Sequence, residues 1–551
     1  MKTSFIKHII GQNKLVIAVE IKMIFLIWIL AISIAALLYC RQTYARFAKY
    51  GVKHLPPVPL FGDMAKVFFR MEHFLDNAER IYNSFPGERF VGHMEFIRPI
   101  VFIRDVDLVK RVTVKDFEHF LDHAFVVDKS VDPMFGRNLL SLKGQEWKDM
   151  RSTLSPAFTS SKIKLMVPLM EEAGENMNKR LKREILESGK NYADVDIKDV
   201  CNRYANDVIA SCAFGLRVDS QNNETEFYKM GKVASQFTFV RTLKFLAFQC
   251  IPGIMKFFKL TFFTRASQNF FRQILTQTMR DRETHNIIRP DMVHLLMEAK
   301  KGNLKHEEDN TVNDAGFATV EESNVGKAVT KTVWTEDDLI AQAVIFFVAG
   351  FEGVAQAMAF LVYELALNPE VQDKLAREVK ENDEKNCGKF NYTSIKEMTY
   401  LDMVVTELLR MWTPGGTLER ICTKDYNLGR PSDSATEDYI IRKGEGVKIP
   451  VSAIHHDPQY FSEPHKFDPE RFSPENRHKI HPFSYNPFGC GPRNCIASRF
   501  ALCEIKVLIY QLIRQVEVSP CKKTAVPIKL DTCSFNLIIK GGHWIKVKAR
   551  E

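Results

Sequence analysis

This chain of 551 residues lacks the segments that would divide it. No Gly/Ser-rich linker interrupts it after residue 63, so a size prior of roughly three domains gives way to one large globule. It has no glycine-rich stretch of the kind that cradles a dinucleotide or a flavin, which excludes a built-in nucleotide cofactor site. It has no basic run and no nucleic-acid-binding motif. The net charge of +9 is therefore read as attraction to anionic lipid and to an acidic protein partner, with no nucleic acid involved. The 11 cysteines form no framework of close pairs; scattered and odd in number, they point to reduced thiols facing the cytosol rather than to a secreted disulfide scaffold.

What is present is apolar and aromatic. Hydrophobic residues make up 45% of the chain and there are 41 Phe, enough for a large, mostly helical core around a greasy cavity. Met23 to Cys40 is an unbroken apolar and small-residue run. At ~1.5 Å per residue it reaches roughly 27 Å as a helix, about the thickness of a bilayer core. A cleaved signal peptide is the rival reading, but no persuasive small-x-small site follows. Arg41, Arg46, Lys49 and Lys53 come next, which places the bulk of the chain on the cytosolic side by the positive-inside rule. Pro56-Pro-Val-Pro59 then reads as a stiff, extended hinge. Residues 1–22 carry Lys2, Lys7, Lys14 and Lys22 against only Glu20 on the side that should be lumenal. They contain no arginine, which argues against a mitochondrial presequence, and they are expected to be an extension upstream of a start at Met23.

Chemistry concentrates in Pro487-Phe-Gly-Cys-Gly-Pro-Arg-Asn-Cys-Ile-Ala-Ser-Arg499. Two glycines and a proline make a tight loop before a helix that the pattern opens near Ile496. Cys495 would lie at the positive end of that helix with Arg493 two residues away, and both would lower its pKa toward the thiolate that binds a metal. Phe488 and the turn backbone can shield one side of the sulfur. The arrangement suits a single axial thiolate on a heme iron. Two other readings stay open on these residues alone: a zinc or iron–sulfur fragment with Cys490, which lacks a second cysteine pair at ligand spacing, and a structural cysteine in a glycine-rich turn.

Phe488-x-x-Gly491-x-Arg493-x-Cys495 resembles the heme-binding signature of cytochrome P450 monooxygenases, and three distant motifs appear in that family's order. Glu407-Leu-Leu-Arg410 lies on a helical stretch from about Ser394 to Trp412, with Glu407 and Arg410 on one face. Pro469-Glu-Arg-Phe472 supplies Arg471, and the resemblance implies a buried Arg–Glu–Arg cluster behind the heme. Trp147-x-x-x-Arg151, one helical turn apart, matches the family's heme-propionate contacts, and Arg420 sits where the family often places another. The likeness runs from about Pro56 to Lys548. It implies a mainly α fold with a smaller β region (α+β), the cytochrome P450 fold with an N-terminal transmembrane helix. The expected layout is an extension at 1–22, an anchor at 23–40, a basic and Pro-rich linker at 41–62 and a catalytic domain at 63–551.

The central helix is predicted from a capping box at Thr335 and Asp338 to Leu367, where Asn368-Pro369 stops it. Its middle, Ala349-Gly-Phe-Glu-Gly-Val-Ala355, is small enough for a flat ligand to approach, and the resemblance puts Ala349, Gly350, Glu352 and position 353 at the heme. Here the chain departs from the family: Gly353 replaces a threonine whose hydroxyl helps deliver protons during oxygen activation, and Val354 replaces a second hydroxyl residue. Ala497 stands where the family usually has glycine, a small change.

The resemblance implies heme b with Cys495 as axial ligand. Electrons would come from NADPH through a membrane-bound NADPH–cytochrome P450 reductase, with cytochrome b5 as a further donor, in a single-pass endoplasmic reticulum protein whose catalytic domain is cytosolic. The expected reaction inserts one oxygen atom from O2 into a lipophilic substrate. Because of Gly353, a heme-thiolate isomerase or dehydratase and a non-catalytic sequestering protein remain alternatives. Expected pocket walls are Phe120 to Asn138, Phe237 to Phe263, Phe346 to Gly350, Trp412 to Thr417 and Phe535 to Leu537. Residues 301–333 read as a polar surface insertion without chemistry, and Asn313-Asp-Ala-Gly-Phe-Ala-Thr-Val-Glu-Glu322 resembles insect microsomal enzymes of the xenobiotic-metabolising group.

Overall fold

The computed structural model describes residues 2–124, 127–236, 238–302, 316–328, 332–388 and 390–550, and side chains from residue 20 onward apart from Phe239. Of the expected pocket walls, Phe125, Val126 and Phe237 lie outside the described residues, as do 303–315 and 329–331 of the polar insertion.

Helices dominate, with three small sheets among the described residues. The largest sheet pairs Phe90–Glu95 with Arg98–Ile103 as a hairpin, adds Gly446–Ile449 in parallel, and closes with Leu418–Ile421 antiparallel. Smaller sheets pair Tyr192–Asp196, Trp544–Ala549 and Val516–Ser519, and Tyr426–Gly429 with Tyr439–Ile441. One extensive core joins most helices, and a second lies beneath the largest sheet.

The expected capping box is present: Thr335 and Asp338 exchange side-chain-to-backbone bonds at the start of Glu336–Ala349. The helix is not continuous to Leu367, however. It widens into one π-helical turn over Gly350–Val354 before Ala355–Leu367 resumes, the kind of insertion that accompanies functional sites. The final segment is buried on nearly all sides and packs on the helix Ile197–Phe214. The helix after the cysteine opens at Ser498 rather than Ile496, with Ala497 at its cap. The stretch expected from Ser394 to Trp412 is two helices, Tyr392–Lys396 and Thr399–Met411.

The amino-terminal helix runs from Lys2 to Lys49, and its part from Glu20 onward is long and apolar enough to cross a membrane. The basic stretch expected as linker is helical as far as Lys49 and docks on the globule. Phe47 is fully buried against Gly92, where a Cβ would come within 2.6 Å of the Phe47 ring, and Arg46 pairs with Glu445 at 2.7 Å. The helix ends at Gly51 in the left-handed region (φ 67°), ahead of the proline-rich segment.

Candidate active site

The loop before Ser498–Gln515 is held by its own backbone. Gly489 donates to the Asn486 carbonyl (3.0 Å), Asn494 to Gly491 (3.0 Å) and Cys495 to Phe488 (2.8 Å). Gly491 has φ +72°, and a Cβ there would fall on the Thr113 carbonyl, so both conformation and space demand glycine. Cys490 serves this seam too, donating to Thr113 Oγ1 at 3.1 Å. Cys495 keeps exposed surface among largely buried neighbours. The protein nevertheless surrounds its sulfur closely enough that desolvation pushes the thiol above its ordinary pKa; the Ala497 amide and the Arg151 charge oppose this and are outweighed. The helix end acts in the expected direction, through the Ala497 amide, but is outweighed, and the expectation for Arg493 is corrected: the opposing cation is Arg151.

Arg493 serves the neighbouring cavity. Its guanidinium donates to the carbonyls of Leu121 (2.7 Å) and Leu142 (2.9 Å) and lies 3.9 Å from the centre of the Trp147 ring. Arg420 donates to the Glu419 carbonyl at 2.8 Å, while its buried Nη2 has no partner among the described residues. Burial pushes Arg420 down to about 10. Burial and then the Arg420 charge push Arg493 well below the usual arginine range. His123, pushed down by burial and then by these two arginines, shares the same wall; no motif singles it out in the sequence. Asp122, 3.6 Å from Arg493, is a modest counterweight.

Arg420, Arg493 and His123 line a cavity of about 610 Å³, with Ala349, Glu352 and Gly353 of the central helix also on its wall. An orphaned guanidinium nitrogen beside a second desolvated arginine is a donor set that calls for carboxylates, so the residues present fit a flat group with acidic substituents at its rim. Not every expected contact reaches this cavity. Gly350 does not line it; a Cβ there would come within 2.6 Å of Ile209 Cδ1, so its role is close packing on Ile197–Phe214. Trp147 and Arg151, on the buried face of Gly144–Leu154, stand behind the wall rather than on it: Trp147 supports Arg493, and Arg151 is engaged with Glu322 and Asn494.

Glu352 Oε1 accepts from Lys198 Nζ and Gln356 Nε2, both at 3.0 Å, which leaves Oε2 without a protein hydrogen bond among the described residues. A Cβ added at Gly353 meets nothing within 4 Å. Behind the cysteine loop, Glu407 and Arg410 are wholly buried and paired at 2.7 Å, and Arg471 joins Glu407 at 3.3 Å. Arg410 also donates to the His455 carbonyl (2.7 Å), and the His455 ring accepts from the Asn486 amide (3.0 Å). The cluster thereby reaches the start of the cysteine loop.

Fold, cysteine loop and arginine-lined cavity together define a helical enzyme built around a planar, anionic prosthetic group. The sequence profile of the Cytochrome P450 family matches residues 53–545. The chain is 42% identical over 539 residues to Cytochrome P450 9e2 of Blattella germanica, covering 95% of this chain and 98% of that protein. It is 34% identical to Cytochrome P450 9b2 of Drosophila melanogaster (95% and 99%) and 34% identical to Cytochrome P450 6k1 of Blattella germanica (94% and 95%). The chain belongs to the cytochrome P450 family, whose cofactor is a thiolate-ligated heme and whose reaction is monooxygenation.

Proposed function

We propose that this protein is a membrane-anchored monooxygenase of lipophilic small molecules. Cys495 would supply the thiolate ligand of the heme, Arg420, Arg493 and His123 would receive its carboxylates, and electrons would arrive from NADPH through a separate reductase, with cytochrome b5 as a second donor. Its setting is the endoplasmic reticulum membrane, with the apolar amino-terminal helix as anchor and the globule in the cytosol. The observation that carries the reading is the orphaned Arg420 Nη2 on a cavity wall shared with Arg493 and the central helix.

Heme, when bound, supplies the oxygen chemistry. The chain's own part begins at the loop, where the Gly489 and Gly491 turns fix Cys495 and the Glu407–Arg410–Arg471 cluster anchors them through His455. Position 353 offers no hydroxyl. On the same turn Glu352 lines the cavity with Oε2 free to accept a hydrogen bond, and Lys198 on Oε1 holds that carboxylate in place. Water, or a hydroxyl of the substrate, completes the relay. Phe74, Phe102, Phe135, Phe245 and Phe262 give the cavity its apolar walls. One wall is different: Lys448 pairs with Glu95, and Arg98 bridges Glu95 and Glu419, each at 3.2 Å. Glu95, Glu419 and Lys448 face the cavity, which suits a lipophile carrying one neutral polar group.

The test is the full chain with reductase and NADPH. The carbon-monoxide difference spectrum is expected to show the thiolate-type band and to lose it in Cys495→Ser. Lipophiles are expected to give oxygenated products only with NADPH present. Turnover of a lipid hydroperoxide without NADPH, or ligand binding with no product, would overturn the reading.

A further inference from the structure

Residues 316–328 belong to the insertion expected to be a surface loop without chemistry, and the structure lays them against the cysteine-loop face instead. Phe317 packs on Phe472 and Tyr485, with ring centres 5.2 and 5.6 Å apart, and its amide donates to Asp402 at 3.0 Å. The Glu321 carbonyl accepts from Asn494 Nδ2 at 3.0 Å. The Glu322 carboxylate takes both Nε and Nη2 of Arg151, at 3.2 and 2.7 Å. Arg151 in turn donates to the main-chain and side-chain oxygens of Asn494, both at 2.7 Å. The four residues close a ring, and Asn494 is the chain neighbour of Cys495. Ser152 further ties this helix to the Ala328 carbonyl.

The ring has an electrostatic consequence. Arg151 is held on both oxygens of Asn494, the residue bonded to Cys495, and its side chain is only 3% exposed. A buried guanidinium is weakly screened by solvent, so its field at the sulfur depends on whether a carboxylate sits beside it. Glu322, 25% exposed, is that carboxylate, and its bidentate geometry also fixes the plane of the guanidinium against Asn494.

We infer that Glu322 is a positioning residue for the thiolate centre: it holds Arg151 on Asn494 and offsets the positive charge that Arg151 presents to Cys495. This rests on Cys495 being the heme ligand. Removing the charge of Glu322 leaves a net cation near the metal, which favours the reduced state.

The experiment compares the heme-loaded full chain with Glu322→Gln and Glu322→Asp by spectroelectrochemical titration, recording the carbon-monoxide spectrum and thermal melting alongside. Glu322→Gln, which keeps an oxygen acceptor at a partly exposed site, is expected to fold and to retain the thiolate-type band. Its one-electron reduction equilibrium is expected to shift toward the reduced form about threefold to tenfold, at ~59 mV per tenfold. Glu322→Asp, which retains the charge, is expected to stay near the parent. A potential that does not move in Glu322→Gln, or moves equally in Glu322→Asp, overturns the assignment. Absence of the thiolate-type band from the parent would instead overturn the Cys495 reading beneath it.

Discussion

Replacing Gly353 by threonine probes how protons reach the cavity. Position 353 lies in the π turn Gly350–Val354, lines the cavity, and has no atom within 4 Å of where a Cβ would stand. The side chain therefore enters open space, and its Cβ should clash with nothing. On the backbone the change is mildly favourable, since glycine inside a helix costs about 0.5–1 kcal/mol relative to alanine and threonine recovers part of that. For 551 residues the unfolding entropy is about 1 kcal/mol per degree, so the melting temperature should move by no more than about one degree. Any larger effect on turnover is then chemical. A positioned proton donor contributes on the order of 10²–10⁴ where none exists. On the proposed route water or a substrate hydroxyl already serves, so the expected gain is smaller: about twofold to tenfold in product formed per NADPH consumed, or up to about 1.4 kcal/mol. Gly353→Ala is the control, sharing the backbone gain without the hydroxyl. The assay follows NADPH, hydrogen peroxide and product together with reductase supplied. If threonine and alanine give the same ratio as glycine, the hydroxyl argument is refuted.

Gly491→Ala should fail to bind heme, because its Cβ would strike the Thr113 carbonyl in a left-handed turn; a normal heme spectrum in that variant would remove the steric argument. Glu407→Ala leaves Arg410 buried without its carboxylate, a loss on the order of 3–5 kcal/mol, read as a large fall in melting temperature and in heme content. Burial raises Glu364 from 4.5 to about 7, although Trp412 and Asn368 donate to it. Its proton therefore stabilises the fold fully below pH 4.5, and that contribution falls by about 1.4 kcal/mol per pH unit as pH rises toward 7. Glu364→Gln should flatten this part of the melting profile between pH 5 and 8, and parallel profiles would count against it. A long-chain alcohol should bind more tightly than the matching alkane, with Glu419→Gln narrowing the difference; equal binding of the two by the parent would deny the polar wall a role.

Legibility in the sequence followed the range of the physics. Thr335 and Asp338 announce a helix start because a capping box is closed within four residues, and Asn368-Pro369 announces its end for an equally local reason. The π turn between them was hidden, since Gly350 and Gly353 read the same in a straight helix; only the close contact of Gly350 with Ile209, 141 positions away, shows which side each faces. Glu407 and Arg410 were readable as a pair at helical spacing, but their burial depends on carbonyls of His455 and Pro464 that carry no side-chain signature. The same limit explains the arginines. Arg493 and Arg420 were found through motifs, yet His123 lies in an unpatterned loop and reaches their wall only because its ring meets the Glu419 carbonyl at 3.1 Å. Arg151 shows the limit most clearly. Its spacing from Trp147 predicts two residues on one helix face, which holds, but not that Glu322, 171 positions later, returns to claim its guanidinium. A stretch rich in Glu, Asn and Ser looks solvated in isolation. Glu322 becomes informative only when folding sets its carboxylate against an arginine beside the cysteine loop, so the functional weight of the insertion lies in tertiary electrostatics that no local pattern encodes.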